Sequence, residues 1–165
     1  GTFYGADPDN YLFDNNGFYF NDNYTYHSGE NSIPGHFTID LGVSTFLRKV
    51  NMDLRSNFGF VGNNPNEIEI WARTNLEGAE TYPVFESSGN SVTSSPVTTE
   101  SLINAGWLLI HTQSIDGQNS SNVEFDVNSD ESYRFLRIRY TDSVGNSGCQ
   151  FVELGFSGFG IFPID

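Results

Sequence analysis

The serine of GFSGFG, residues 155 to 160, is the closest approach in this chain to a nucleophile elbow, and it lacks the G-x-S-x-G register. No H-E-x-x-H pair is present to hold zinc beside a general base, and no glycine loop ends in the Gly-Lys that cradles phosphate. His36 and His111 lie in alternating, strand-like runs with no partner at metal-ligand spacing, which assigns both to structure. The one cysteine, Cys149, excludes an internal disulfide and a thiolate metal cluster. A pair of carboxylates facing each other across a cleft can hydrolyse a glycoside, but 165 residues leave little room for a cleft, so catalysis is not expected.

Charge narrows the partners further. Seven basic residues stand against 21 acidic ones, a formal charge of −14, which repels phosphate backbones and anionic headgroups. Nucleic acid and membrane surfaces are therefore disfavoured, and neutral ligands or cations suit the chain better. No apolar run approaches the roughly 18 to 20 residues of a membrane span, and no charged-then-apolar leader opens the sequence. Aromatic residues make up 15% of the chain, enough apolar surface to offset the entropy of ordering one domain over residues 1 to 165.

Short alternating runs bounded by Gly, Asn, Asp and Ser recur throughout, and helical periodicity is scarce, which makes the class all-β. Strands are expected at 35–42, 46–56, 67–75, 107–114, 123–128, 133–143 and 150–160. In RFLRIRY, Phe135 and Arg137 fall on one face and Leu136, Ile138 and Tyr140 on the other, as in a sheet with one face in a core. Two stacked antiparallel sheets would supply that core. The Ser/Thr-rich stretch between the third and fourth runs is an elaborated loop, with one helical turn expected at TTESLINAG, capped by Thr98 or Thr99. Trp71 and Trp107 belong to strand-like phrases and are assigned to packing.

In order along the chain, LFD (12–14), PGHFTIDLG (34–42), NPNEIEIWA (64–72), GWLLI (106–110), YRFLRIRY (133–140) and VELGFSG (152–158) resemble the discoidin family. This is the coagulation-factor type C, galactose-binding-like jelly roll. The match is nearest to the carbohydrate-binding module 32-like versions in polysaccharide-utilisation proteins of gut Bacteroidetes, and it covers about residues 11 to 160. The resemblance makes HFTIDLG the first long strand of a β-sandwich and Asp-Leu-Gly the point where that strand leaves its sheet. Locally this is sensible: the Asp40 carboxylate can accept from nearby backbone N–H groups while Gly42 takes a conformation closed to other residues.

The resemblance also implies a structural calcium ion where FDNNG meets FVELGF, with Asp14 and Glu153 as the paired carboxylates. Calcium takes six to eight oxygens, and Asn16, Asn23 and Thr25 are the candidates to complete the set. The chain departs from the family pattern here, with Asn15 in place of a glycine and GFYFND inserted. The alternative is that Asp14 and the asparagines form turns and that Glu153 pairs with an arginine such as Arg137.

In carbohydrate-binding relatives the sugar is held by loops at one end of the sandwich, and the matching loops here are 23–32, 55–66 and 142–150. An aromatic face packs on the C–H patch of a pyranose, and planar Arg and Asn groups meet its hydroxyls in fixed geometry. The candidates are Tyr26, His27, Arg55, Phe58, Phe60, Asn63, Asn64 and Asn146. Arg55 has a structural alternative, a buried ion pair that pins its loop. Phe58 and Phe60 have another, as loop core.

The resemblance thus implies a non-catalytic carbohydrate-binding module of a secreted or outer-membrane-surface glycan-processing system, one part of a larger chain, with glycan as partner and calcium as structural cofactor. The competing expectation is a protein-interaction or adhesion module, favoured if Phe58, Phe60, Val61 and Val144 form one apolar patch.

Overall fold

The computed structural model describes residues 26–27, 33–55, 61–75, 98–146 and 148–161. Among these, the order is β1 (Tyr26–His27), β2 (Gly35–Asp53), a 3-10 turn (Val61–Asn63), β3 (Pro65–Arg73), α1 (Thr99–Asn104), β4 (Leu108–Ser114), β5 (Asn122–Asp126), β6 (Ser132–Ser143), β7 (Gln150–Phe151) and β8 (Glu153–Ile161). Every strand pairing is antiparallel. The fold is an all-β antiparallel sandwich, as the alternation predicts.

The two strands expected at 35–42 and 46–56 are one continuous strand, β2, which serves both layers. Its first half pairs with β6, from Gly35 opposite Tyr140 to Asp40 opposite Phe135. Its second half pairs with β5 on one edge and β8 on the other. Between them the register slips from Asp40 to Thr45, and Gly42 there has φ of 78°, a value open mainly to glycine. The Asp40 carboxylate fixes the kink, accepting from the Gly42 N–H at 2.8 Å and from Arg134 Nε and Nη2 at 2.8 Å each. The bidentate guanidinium, chiefly, lowers the Asp40 pKa. Asp40 is therefore structural, as expected.

A second irregularity sets the core. The register against β8 slips between Leu47 and Lys49, which makes Arg48 the extra residue of a bulge and lets Leu47, Val50 and Met52 all face inward. They meet Ile68, Ile70 and Ala72 of β3 and Leu136, Ile138 and Tyr140 of β6. His111 stacks on Phe125, with ring centres 5.0 Å apart, which bears out its structural assignment.

The opposite face of β3 and β6 is also covered, where the alternation in RFLRIRY gives only one face to a core. Trp71, Leu102 of α1 and Trp107 form a second apolar cluster, and beneath it Arg137 and Arg139 are only 3% and 8% exposed. The two tryptophans pack as expected, although Trp107 immediately precedes β4 rather than belonging to it. α1 forms because Thr98 and Ser101 make a reciprocal capping box, each side chain accepting from the other's backbone N–H. His36 lies on this covered face, and burial, followed by the charge of Arg137, lowers its pKa to about 3. It is neutral at physiological pH.

Gly42→Ala tests the kink. An added Cβ meets nothing within 4 Å, so the cost is conformational, about 1–2 kcal/mol. It is measurable by urea unfolding, and an unchanged midpoint would remove Gly42 from the device that bends β2.

Candidate functional site

One end of the sandwich gathers the C-terminal end of β2, the N-terminal end of β3, the C-terminal end of β6 and the β7–β8 junction, and a single side chain ties them. Asn64 has no exposed surface. Its Nδ2 donates to the Arg55 carbonyl at 2.7 Å and the Gly117 carbonyl at 2.9 Å. Its Oδ1 accepts from the Arg55 N–H at 3.3 Å and from Gln150 Nε2 at 3.0 Å. Both donors and both acceptor positions of the amide are engaged.

The backbone completes the tie. The 3-10 turn is closed by the Asn64 N–H on the Val61 carbonyl at 2.9 Å, and the third loop docks on it through the Val144 N–H to the Asn64 carbonyl at 3.0 Å and the Gly145 N–H to the Gly62 carbonyl at 2.5 Å. Two glycines permit this approach: a Cβ on Gly117 would lie 2.5 Å from the Pro65 oxygen, and one on Gly145 would lie 2.8 Å from the Gly62 oxygen. β1 joins the same end, since His27 is the register partner of Gln150 and Tyr26 that of Phe151.

The nominated ligand residues therefore divide. Arg55, Asn63, Asn64 and Asn146, together with the β1 backbone of Tyr26 and His27, converge on this end. Asn146 is exposed, with φ of 51°, a left-handed conformation that asparagine tolerates. Arg55 is 4% exposed, its backbone clasped by Asn64. Asn64 has its amide fully bonded inside the domain, where it holds the loops together. Phe58 and Phe60 lie outside the described residues. Val61 and Val144 are half-buried.

Of the nominated calcium ligands, Asp14, Asn16, Asn23 and Thr25 lie outside the described residues. Glu153 begins β8, opposite Asp53 of β2, two residues beyond Phe151 and hence beside β1. Among the described residues no three His, Cys, Asp or Glu side chains cluster as a metal site. Arg137, offered as an alternative partner for Glu153, is engaged on the covered sheet face, where its Nε donates to Thr38 Oγ1 at 2.9 Å.

Two members of the tie were not found from sequence. Gln150 shows itself only as an amide set between Cys149 and Phe151, and Gly117 only as the second residue of an Asp-Gly turn. Neither pattern indicates a partner 53 or 86 residues away.

No protein-family model and no curated protein matches the sequence. Solved structures do match the fold. CBM32-1 from a family 31 glycoside hydrolase of Clostridium perfringens is 14% identical, with TM-score 0.57 over 92% of this chain and 85% of that one. The C-terminal domain of a chitobiase from Bacteroides fragilis is 17% identical, with TM-score 0.57 over 92% of this chain and 80% of that one. An F5/8 type C domain from Bacteroides fragilis is 10% identical, with TM-score 0.55 over 91% and 80%. The chain has the discoidin-like, galactose-binding-like fold of these domains.

Replacing Asn64 with alanine removes its hydrogen bonds to the Arg55 N–H and carbonyl, the Gly117 carbonyl and the Gln150 amide. It should cost about 1–3 kcal/mol and speed hydrogen exchange at Arg55 and Val144. Unchanged exchange there would mean the loops are held by other contacts.

Proposed function

We propose that this domain is a non-catalytic carbohydrate-binding module that receives a sugar at the loop end organised by Asn64. The observation that carries the reading is the convergence there of Arg55, Asn63, Asn146 and the β1 pair Tyr26–His27, residue types suited to hydroxyls and pyranose faces. The likeness of the fold to carbohydrate-binding modules agrees with it. Loops already tied together lose little freedom on binding, so modest contacts can yield measurable affinity. A shallow site for one or two rings corresponds to micromolar-to-millimolar dissociation constants, an order-of-magnitude expectation.

A glycan array with and without chelator tests this directly, followed by titration of any hit against Arg55→Lys. That change keeps the charge and removes the planar fork. A binding loss of tenfold or more with preserved thermal stability is expected. Equal affinity would take Arg55 out of the site, and silence across the array would redirect the loops to a protein partner.

Calcium is proposed as a structural cofactor held by Asp14 and Glu153, with oxygens from Asn16, Asn23 and Thr25. Supporting this, Glu153 starts a strand at the loop end beside β1. When bound, the ion would crosslink the segment before β1 to β8. Because an ion that binds only the folded state raises its melting temperature, calcium should raise the midpoint relative to EDTA and Glu153→Gln should cancel the difference. Identical midpoints in calcium and EDTA would dismiss an exchangeable ion. Secretion or surface attachment within a glycan-processing system fits the same reading, as does the family 31 glycoside hydrolase from which CBM32-1 comes.

A further inference from the structure

Seven basic residues stand against 21 acidic ones in this chain, and the fold distributes them unevenly. Lys49 faces Glu124 and Asp126, Arg134 holds Asp40, and Arg139 holds Glu69. Arg137 lies on the covered sheet face against Trp107. Arg73, at the end of β3 away from Asn64, donates to the Ala105 carbonyl, and Arg48, at the bulge of β2, lies over the Phe159 ring. Among the described residues Arg55 is the one arginine or lysine of the loop end, and it is buried.

The acids of that end have partners of another kind. Asp53, two residues before Arg55, accepts from Asn122 Nδ2. Asp116, beside Gly117, accepts from Asn119 Nδ2 at 2.9 Å. Asp142, opposite Glu67 in the register, accepts from Asn66 Nδ2 at 3.2 Å, and Glu67 accepts from Thr141 Oγ1 at 2.6 Å. The Ile115 N–H donates to the Asn66 carbonyl and the Val144 N–H to that of Asn64, so these carboxylates border the Asn64 tie. Amides and hydroxyls orient a carboxylate without supplying a countercharge. Elsewhere acids face Lys or Arg; here, among the described residues, none of the four forms an ion pair. Asp116 and Asp142 are exposed, and their field extends over a Debye length, about 10 Å at 0.1 M salt.

We propose that the loop end selects its sugar by charge, taking protonated amino sugars ahead of neutral ones and rejecting uronate and sulfated glycans. This selectivity rests on the reading of the loop end as the sugar site and narrows it to a substrate class. Arg55 by itself would draw a ligand carboxylate. Four carboxylates around one buried guanidinium reverse that preference for a group arriving from water.

Two matched series test it: galactosamine, galactose and galacturonate, and glucosamine, glucose and glucuronate. Mildly acidic pH keeps the amines protonated and the carboxylates ionised. Binding is followed in ¹H–¹⁵N spectra of the labelled domain. At low salt the amine should bind tightest and the uronate weakest, about tenfold apart, and in about 1 M sodium chloride the three should converge.

Asp116→Asn combined with Asp142→Asn should cut the amine-to-uronate ratio about threefold. Asp130→Asn combined with Glu131→Gln removes the same charge from exposed positions before β6, at the opposite end of that strand from Asp142, and should leave the ratio unchanged. Equal affinity for all three charge states, or tighter uronate, overturns the proposal and leaves the sugar reading standing. An equal loss of preference in the two double variants overturns it as well, since net charge would then set the order. Silence from both series overturns the selectivity, and silence across the glycan array too removes the sugar reading beneath it.

Discussion

The architecture depends on one strand being shared by two layers. β2 is hydrogen-bonded to β6 along its first half and to β5 and β8 along its second. A strand that passes between sheets must bend without losing its pairing. The bend is made where Gly42 takes a left-handed conformation and Asp40 is held by both the chain and Arg134, 94 residues away. The Arg48 bulge then shifts the inward parity, so that Leu47 before it and Val50 and Met52 after it all face the core. With β2 fixed at these points, the ends of β2, β3, β6 and β8 fall at one edge of the sandwich, and loops distant in sequence become neighbours.

Two polar regions result, and their accounting differs. At the loop end the polar groups of Asn64 are fully matched within the protein, and the side chain spans Arg55, Gly117 and Gln150. Saturation of this kind confers rigidity, and rigidity is what a surface needs to hold exposed groups such as Asn146 in place for a ligand. On the sheet face the balance is unequal: guanidinium and indole donors outnumber the carboxylate oxygens beside them.

Burial also explains why the same residue types play different parts. Arg134 and Asp40 form an ion pair on the surface, where water screens it and geometry matters more than energy. Arg139 and Glu69 pair under α1 with side chains 10% and 14% exposed, where breaking either partner would leave a charge out of water. Arg137 has a hydroxyl and an aromatic face instead of a carboxylate.

Much of this was legible in the sequence, because period-two alternation is a local consequence of strand geometry. The all-β class, most strand positions, a threonine cap at Thr98 or Thr99, the role of Asp40 and Gly42, and the packing of both tryptophans follow from residues within a few positions of one another. What folding alone decided involves pairs far apart in the chain. β2 became one strand because β6 and β8 bridge the kink, Asn64 became a tie because Gly117 and Gln150 arrive beside it, and the arginine face was sealed because α1 lays Leu102 over Trp71. Side-chain types specify which bonds a residue can make. The long-range approach of partners, which no local pattern encodes, determines which of those bonds are formed.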